Sequence, residues 1–497
     1  MASAAARLAA GGQFATGSMG GYYSPAEILA FVDSLRQLDS HGILSDTSVV
    51  GLTLQGEPIW SVKISGGAVG QERPEVFYNS LTHSREGMSL MTLLYYMRFL
   101  VENYGQVDSV TDLVDSRDLY FIPLVNPDGY EINWQYYLNQ KSFGLWRKNA
   151  RDNNGDSKLD AYDGVDINRN FGFKWGFDDT GSSMIGIYDN YRGTQAFSEP
   201  ETQAIRDYLR SRTFVTAINL HSYSNVLINP FNYIDLNTPD STLYRRLGKA
   251  LTRENGYKFG TAKQTLNYPA DGELTDWMYA DTSGRGKIIA WTLEICSLSE
   301  GFWPLATRIT PIAQVNLPLL MSLARLSGFW PDIEYLYQKR KASAPGSYRI
   351  GLRLRNAGLK TSSQSVTVRL ESSAEGFAKL GEVEVTAALE AGANPPAKSV
   401  ELNYEIANGA SGLPAAIVLY ADGRRVRSIG ISLPYTGSLA YDVDGNGKLD
   451  IFDLLTLLQA IAGHYSVVQA NVVFDLNLDG RIDIFDLLAL LKALAST

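Results

Sequence analysis

Cysteine, histidine and positive charge are all scarce in this chain of 497 residues. The single cysteine, Cys296, has no partner for a disulfide within the chain, so folding has to rest on apolar cores. The formal net charge of −9 disfavours nucleic acid and anionic membranes as partners. No apolar stretch is long enough for a transmembrane helix, so we expect no membrane span. Hydrophobic residues at 45% and charged residues at 20% are typical of a globular protein.

The length and a change of pattern along the chain predict several domains. Up to about residue 330, strand-like apolar runs alternate with helical stretches, which predicts a mixed, mostly parallel α/β sheet with helices on both faces. From about residue 335, alternation of apolar and polar residues predicts a β-sandwich. The sandwich has no chemical motif, so we interpret it as a spacer, with carbohydrate or surface binding as the alternative.

These patterns set the expected boundaries. Residues 1–13 are expected to be a leader, a propeptide remnant or a cloning scar, because they lack the apolar core of an intact signal peptide. The α/β domain is expected at 14–330, the immunoglobulin-like sandwich at 335–434 and a small helical domain at 438–497.

The segment LTHSREGMSL, residues 81–90, follows a strand-like run and predicts a metal site. His83 and Glu86 lie three residues apart on the predicted turn, where both can bind one zinc ion from the same side. His221 is the expected third ligand because it also ends a strand-like run and the chain has only 4 histidines. Two histidines and one glutamate leave the fourth position for water, which indicates a catalytic site with one zinc ion.

An internal repeat lies near the C-terminal end of the chain. The segments YDVDGNGKLDIFDLLTLL and FDLNLDGRIDIFDLLALL each combine oxygen ligands at calcium-loop spacing with a glycine at the sharp bend and a leucine-rich helix. The repeat predicts two bound calcium ions. The expected ligands are Asp442, Asp444, Asn446, Asp450 and Asp453 in the first loop, and Asp475, Asn477, Asp479, Asp483 and Asp486 in the second.

Paired calcium loops of this kind, each leading into one helix, resemble a type I dockerin over residues 438–495. The resemblance implies calcium-dependent folding and binding to a cohesin module of a scaffold, as in a cellulosome. It also implies a secreted, extracellular protein attached to a scaffold or cell surface. Dockerins contact their partner largely through two loop positions, here Ile451-Phe452 and Ile484-Phe485, which are identical in both halves. Either half is therefore expected to dock. The alternative is a tail that only stabilises the protein.

Further motifs accompany the zinc ligands between residues 14 and 328. The segments SMGGYY, NPDGY, LWRK, GVDINRNFGF, HSYS, LNYPA and WTLEIC together resemble the zinc metallocarboxypeptidases of the A, B and T type. The resemblance implies the metallocarboxypeptidase fold. It also implies hydrolysis of the C-terminal peptide bond of substrates that have a free C-terminus.

The resemblance assigns roles to the residues of these motifs. Glu294 matches the general base, and Arg147 matches the cation that stabilises the oxyanion. Asn168 and Arg169 match the site for the terminal carboxylate, a group that a planar guanidinium binds better than an ammonium does. Tyr268 matches the mobile phenol that closes over bound substrate.

The sequence leaves side-chain specificity open. The resemblance implies that Arg85 binds substrate and that Thr275 lies at the floor of the pocket for the departing side chain, where it contributes no charge. Glu273 favours basic residues and Lys263 acidic ones, or the two neutralise each other, so we expect a mixed or broad pocket. By the same resemblance, the residues expected to line this pocket are Asn219, Asn232, Lys263, Glu273, Leu274 and Thr275.

A further calcium ion is a hypothesis for residues 152–163, where Ser157 replaces the expected glycine and no helix follows. The alternative is a solvated acidic loop. The candidate ligands are Asp152, Asn154, Asp156, Asp160 and Asp163.

Two other functions compete with the carboxypeptidase hypothesis. One is a peptidase that acts on the stem peptides of peptidoglycan with the same zinc ligands. The other is a catalytically silent peptide-binding module, which the presence of Glu294 and Arg147 disfavours.

Overall fold

The computed structural model describes residues 14, 16–67, 70–340, 346–362, 365–385, 388–407, 413–421, 424–433, 451–461 and 484–494. Residues 1–13, the predicted leader, lie outside the described residues. The chain divides into two compact units, Met1–Gly328 and Phe329–Thr497. Among the described residues, no helix combines the length and hydrophobicity needed to cross a bilayer.

The first unit contains one eight-stranded sheet in the order β1-β2-β4-β3-β5-β8-β6-β7. Neighbouring strands are parallel across β4, β3, β5 and β8, whereas β1, β2 and β6 pair antiparallel with their inner neighbours. The prediction of a mixed, mostly parallel sheet is therefore confirmed. The strands are β1 (Ser48–Leu52), β2 (Pro58–Ile64), β3 (Glu75–Asn79), β4 (Asp118–Ile122), β5 (Phe214–Ser222), β6 (Val226–Ile228), β7 (Lys258–Gly260) and β8 (Ile289–Ile295).

Helices cover both faces of this sheet, as the alternating side chains of β3 show. Phe77 belongs to the buried cluster that contains Ile205 and Trp277, whereas the hydroxyl of Tyr78 donates to the carbonyl of Leu320 on the opposite face. The helices are α1 (Pro25–Leu38), α2 (Gly87–Asn103), α3 (Asp108–Ser116), α4 (Pro127–Gln140), α5 (Pro200–Arg210), α6 (Ser241–Leu251), α7 (Ala262–Thr265), α8 (Leu274–Ala280) and α9 (Ala306–Leu326), with a 3-10 turn at Ile167–Arg169.

Helix α2 begins directly after the His-x-x-Glu turn and is buried along most of its length. Its first residue is Gly87, and a β-carbon there would lie 2.1 Å from the ring of Trp303. Only glycine fits at this position without rearrangement. The close approach of Gly87 to Trp303 brings the turn with His83 and Glu86 close to the core.

The second unit contains two antiparallel four-stranded sheets, in the orders β12-β14-β10-β9 and β13-β11-β15-β16. Their apolar residues, such as Ile350, Val368 and Leu402, form one buried core. The sequence pattern of alternation thus marks the two inner faces. The elements are β9 (Pro331–Arg340), β10 (Ser347–Asn356), β11 (Val366–Glu371), β12 (Phe377–Lys379), β13 (Glu382–Val385), β14 (Lys398–Ile406), β15 (Leu413–Ala421), β16 (Arg424–Leu433), α10 (Ile451–Ile461) and α11 (Ile484–Leu494).

Candidate active site and metal centre

Three neighbouring parallel strands bring the predicted zinc ligands and base together. The turn after β3 carries His83 and Glu86, and His221 lies near the carboxyl end of β5. Glu294 lies directly opposite His221 in the parallel pairing of β5 with β8. Residues separated by up to about two hundred positions therefore meet at one edge of the sheet, where ligands of open α/β sheets usually bind.

His83, Glu86 and His221 form a compact, buried set of ligand atoms. Glu86 Oε1 lies 2.8 Å from His83 Nδ1, and Glu86 Oε2 lies 2.8 Å from His221 Nδ1. The two Nδ1 atoms are 3.0 Å apart. Among the described residues, this is the only group of three such side chains whose ligand atoms lie within 4.8 Å of one another. Two imidazoles and one carboxylate facing a common point are a donor set that suits zinc.

The second nitrogen of each imidazole is also held. His83 Nε2 lies 3.2 Å from Asp166 Oδ1, and His221 Nε2 lies 2.7 Å from the side-chain amide of Asn219. The Asp166 carboxylate can accept the Nε2–H of His83, which fixes that ring with its Nδ1 facing the ligand set. The Asn219 contact also holds the His221 ring, through the amide nitrogen of Asn219. The residues present therefore fit a zinc ion.

Burial and charge favour the metal-binding protonation states of His83 and Glu86, whereas the raised pKa of His221 favours its protonated form until a metal displaces the proton. Burial, followed by the Arg147 guanidinium, lowers the pKa of His83, which favours the neutral imidazole. Burial alone would raise the pKa of Glu86, but His83 and His221 outweigh that effect and hold it well below its usual range. Burial would likewise lower the pKa of His221, yet the Glu86 carboxylate raises it. Glu86 is thus ionised across the physiological range.

Asp166 connects the metal ligands to Arg147. The Nε and Nη2 atoms of Arg147 donate to Asp166 Oδ2 at 3.0 and 2.9 Å, and Arg147 Nη1 lies 3.9 Å from Glu86 Oε1. Asp166 is fully buried. Burial opposes ionisation of Asp166, but Arg147 and then His83 outweigh it and hold its pKa well below the usual range. The pair therefore keeps a fixed cation beside the ligand set.

A cavity of about 490 Å³ opens over this centre. It brings together nearly all the residues that the sequence assigned to catalysis, zinc binding or substrate binding: His83, Arg85, Glu86, Arg147, Asn168, Arg169, Tyr268 and Glu294. Burial raises the pKa of Glu294 to about 8, with His221 opposing and Glu86 reinforcing the shift. A carboxylate with a raised pKa in such a cavity is suited to accept a proton near neutral pH.

The arginines of the cavity are oriented by specific contacts. Arg169 donates from Nε to the carbonyl of Gly181 and from Nη1 to the carbonyl of Asn168, both at 2.8 Å. Arg85 donates to Asp189 at 2.8 Å, and its guanidinium lies 4.5 Å from the ring centroid of Phe302. Tyr268 is half exposed, with 49% of its surface accessible. It lines the cavity without being enclosed by it.

The structure places some predicted pocket residues away from the cavity surface. Thr275 is buried and its hydroxyl lies 2.7 Å from that of Thr292, which lines the cavity in its place. Asn219 and Leu274 are also buried and are not lining residues, whereas Lys263 is exposed and outside the lining. Only Asn232 and Glu273 of the predicted pocket residues line the cavity.

The sequence reasoning missed several lining residues, including Ile228, Ala262, Leu266 and Thr292. One of them had a signal in the sequence. Thr292 lies two residues before Glu294 on β8, and alternate residues of a strand share a face. Leu266 begins the LNYPA segment, whereas Ile228 and Ala262 come from segments that carry no chemical motif.

A His-x-x-Glu turn and a distant histidine with donors that suit zinc, and a carboxylate beside them on parallel strands, are typical of a metallopeptidase of the α/β class. Residues 28–318 match the family model described as zinc carboxypeptidase, and residues 440–495 match the type I dockerin domain. The chain therefore belongs to the zinc carboxypeptidase family and carries a dockerin domain.

Individual relatives agree with this assignment. The chain is 30% identical to bovine (Bos taurus) carboxypeptidase A1 over 301 residues, or 59% of this chain and 67% of that protein. It is 33% identical to human (Homo sapiens) carboxypeptidase B over 244 residues, so it spans 55% of that relative and 48% of itself.

Solved structures show the same fold. The crystal structure of thrombin activatable fibrinolysis inhibitor matches with a TM-score of 0.53 and 25% identity, over 62% of this chain and 74% of that one. Carboxypeptidase A from Helicoverpa armigera matches with a TM-score of 0.54 and 24% identity, over 65% of this chain and 78% of that one.

The dockerin is described only in its two helices. Asp453, in the first turn of α10, is buried. The other predicted calcium ligands lie outside the described residues: Asp442, Asp444, Asn446, Asp450, Asp475, Asn477, Asp479, Asp483 and the side chain of Asp486.

The acidic loop at 152–163 uses its carboxylates within the loop. Asp152 accepts hydrogen bonds from the backbone nitrogens of Gly155 at 2.6 Å and Ser157 at 2.9 Å. Asp163 accepts from the backbone nitrogens of Asn153 and Asp160. The calcium hypothesis for this loop stays a prediction.

Proposed function

We propose that this protein hydrolyses the C-terminal peptide bond of peptides and proteins that have a free C-terminus, with one zinc ion held by His83, Glu86 and His221. The observation that carries the proposal is that metal-ligand side chains, a carboxylate and two guanidinium groups lie together at one cavity. One cavity is lined by His83 and Glu86, by the carboxylate of Glu294 and by the oriented guanidinia of Arg147 and Arg169. His221, the third metal-ligand side chain, lies within 4.8 Å of His83 and Glu86, measured between ligand atoms.

The bound zinc would lower the pKa of water to about 7 and polarise the substrate carbonyl. Glu294 accepts the proton of the attacking water and delivers it to the leaving amine. Because its pKa is raised to about 8, Glu294 can both accept and donate a proton near neutral pH.

The remaining residues bind and orient the substrate. Arg147, held by Asp166, places a fixed positive charge where the oxyanion develops. Asn168 and Arg169 bind the terminal carboxylate, and Tyr268 covers the bound peptide from the rim. Arg85 contacts the chain upstream of the scissile bond.

Glu294→Gln tests the proposal because it removes the base and keeps the side-chain volume. We expect the variant to bind zinc normally and to lose turnover of N-blocked peptides. Glu300→Gln is the matched control, since it removes the same charge from a residue paired with Arg308. Turnover by Glu294→Gln near the wild-type rate, or wild-type activity that persists after chelation, would contradict the proposal.

The same assay separates the competing functions. Hydrolysis confined to D-linked stem peptides would indicate a peptidoglycan peptidase, with Arg169 binding a different terminal group. Peptide binding without turnover by the zinc-loaded wild-type protein would indicate a silent binding module.

We also propose that the dockerin attaches the enzyme to a cohesin module outside the cell, on a scaffold or cell surface. In this arrangement the sandwich at 335–434 is a spacer between the domains at 14–330 and 438–497. Both described dockerin helices expose apolar side chains at matching positions. These are Ile451, Leu455 and Leu458 on α10 and Ile484, Leu488 and Leu491 on α11.

The repeat makes this attachment testable. A charged residue at Ile451 or at Ile484 alone should leave one intact half, so calcium-dependent binding to a type I cohesin should persist. Ile451→Asp combined with Ile484→Asp should abolish it. Unchanged cohesin binding by the double variant would contradict the proposed surface.

A further inference from the structure

Glu273 is a buried carboxylate on the wall of the catalytic cavity. It directly precedes α8 and accepts hydrogen bonds from the backbone nitrogens of Asp276 at 3.0 Å and Thr275 at 3.3 Å. The Asn232 amide donates to the same carboxylate at 2.6 Å. Neutral donors thus hold Glu273 in place while it faces the cavity.

The position of Asn232 is itself fixed. Its side-chain oxygen accepts from the backbone nitrogen of Ala262 at 2.8 Å, and its backbone nitrogen donates to Asp276. The amide therefore has to present its NH₂ group to Glu273.

Among the ion pairs of the described residues, none includes the Glu273 carboxylate. The sequence left open whether Lys263 neutralises Glu273, but Lys263 is exposed and is not a lining residue. The three arginines that line the cavity have other partners: Arg147 and Arg169 pair with Asp166, and Arg85 pairs with Asp189. A buried carboxylate on a cavity wall that makes no ion pair favours a cationic ligand.

The walls near this charge suit an aliphatic stem. Ile228, Ala262 and Leu266 line the cavity, and Thr292 adds a small hydroxyl. A lysine or arginine side chain combines an apolar stem with a charged head, which matches such a wall.

We infer that Glu273 selects substrates whose C-terminal residue is lysine or arginine. The stem packs against Ile228, Ala262 and Leu266, and the cationic head pairs with the Glu273 carboxylate. The inference rests on the proposed carboxypeptidase function. The acidic group comes from the residue that caps α8, two positions before Thr275, because Thr275 itself lies behind Thr292.

The test uses the full-length, zinc-loaded protein and N-blocked peptides that differ only in their last residue. Lysine and norleucine are the matched pair, because norleucine keeps most of the stem and lacks the charge. We expect kcat/KM to favour lysine over norleucine at least tenfold in the wild type. Glu273→Gln should lower this ratio by about thirtyfold or more, the low end of the effect of removing one partner of a buried charge pair.

Two variants separate selectivity from stability. Glu273→Asp keeps the charge but shortens the side chain, so we expect it to favour arginine over lysine more than the wild type does. Glu254→Gln removes an exposed carboxylate paired with Arg253 and should leave the ratio unchanged.

The possible failures are distinct. A wild type that cleaves lysine and norleucine peptides equally would overturn the inference while leaving the proposed function intact. The same holds for a Glu273→Gln variant that folds and keeps the wild-type ratio. A wild type that cleaves none of the peptides would overturn the proposed function itself.

Discussion

Replacing Asp166 by asparagine tests how the metal ligands and Arg147 depend on one carboxylate. Asp166 lies 3.2 Å from His83 Nε2, accepts from two nitrogens of Arg147, and accepts from the backbone nitrogen of Asn168 at 2.9 Å. Asparagine keeps the shape but loses the charge and half of the acceptor capacity. Both His83 and Arg147 therefore lose part of what orients them.

Two losses are expected from this change, one in metal affinity or activity and one in stability. Loss of a carboxylate that orients a metal-binding histidine typically costs about 10- to 100-fold in metal affinity or activity. Loss of one partner of a buried ion pair typically costs about 3–5 kcal/mol of stability. The nearest remaining carboxylate in the ion pairs of Arg147 is Glu86, at 3.9 Å from Nη1, so compensation should be incomplete.

Three measurements on Asp166→Asn check these values: zinc affinity by chelator competition, thermal unfolding at saturating zinc, and kcat/KM at saturating zinc. Asp179→Asn is the control, because Asp179 is 67% exposed and pairs with Arg192 on the surface, where such a pair is worth about 0–1 kcal/mol. Zinc affinity within twofold of the wild type, together with a melting temperature equal to that of the control, would refute the reasoning.

Three further predictions follow from the same structure. Arg147→Ala should lower kcat/KM by about 100- to 1,000-fold, because one oxyanion donor contributes about 2.7–4 kcal/mol of transition-state stabilisation. Steady-state kinetics measure this loss, and a much smaller one would show that Arg147 is dispensable. Burial raises the pKa of Glu201 from 4.5 to about 8, so the folded protein retains a proton that the unfolded chain releases, and stability should fall as pH rises from about 4.5 to 8. Glu201→Gln should flatten this dependence in denaturant titrations at several pH values, and an equal slope in both proteins would contradict the assignment. Chelation followed by restoration of zinc alone should return peptidase activity but not cohesin binding, and cohesin binding that recovers without calcium would count against the calcium loops.

The sequence alone was sufficient wherever the chemistry depends on residues close together in the chain. The His83-x-x-Glu86 spacing, with Gly87 beginning the next helix, specified two ligands on one turn. The alternation of strands and helices specified a mixed α/β sheet because each pattern has its own period. The dockerin domain was likewise recognisable from the sequence, because each half of the repeat places its predicted calcium ligands within one short loop.

Tertiary structure decided which distant side chains share a surface. Thr275 and Thr292 are 17 positions apart, and only the packing of α8 on β8 shows that Thr292 lies in front. From the sequence, Glu273 and Lys263 were both candidates for the charged group of the pocket. The fold buries Glu273 at the cavity wall and leaves Lys263 exposed. Local spacing determines what a turn or loop can bind, but strand order and helix rotation determine which of several polar residues faces the substrate, and those depend on contacts between segments far apart in the chain.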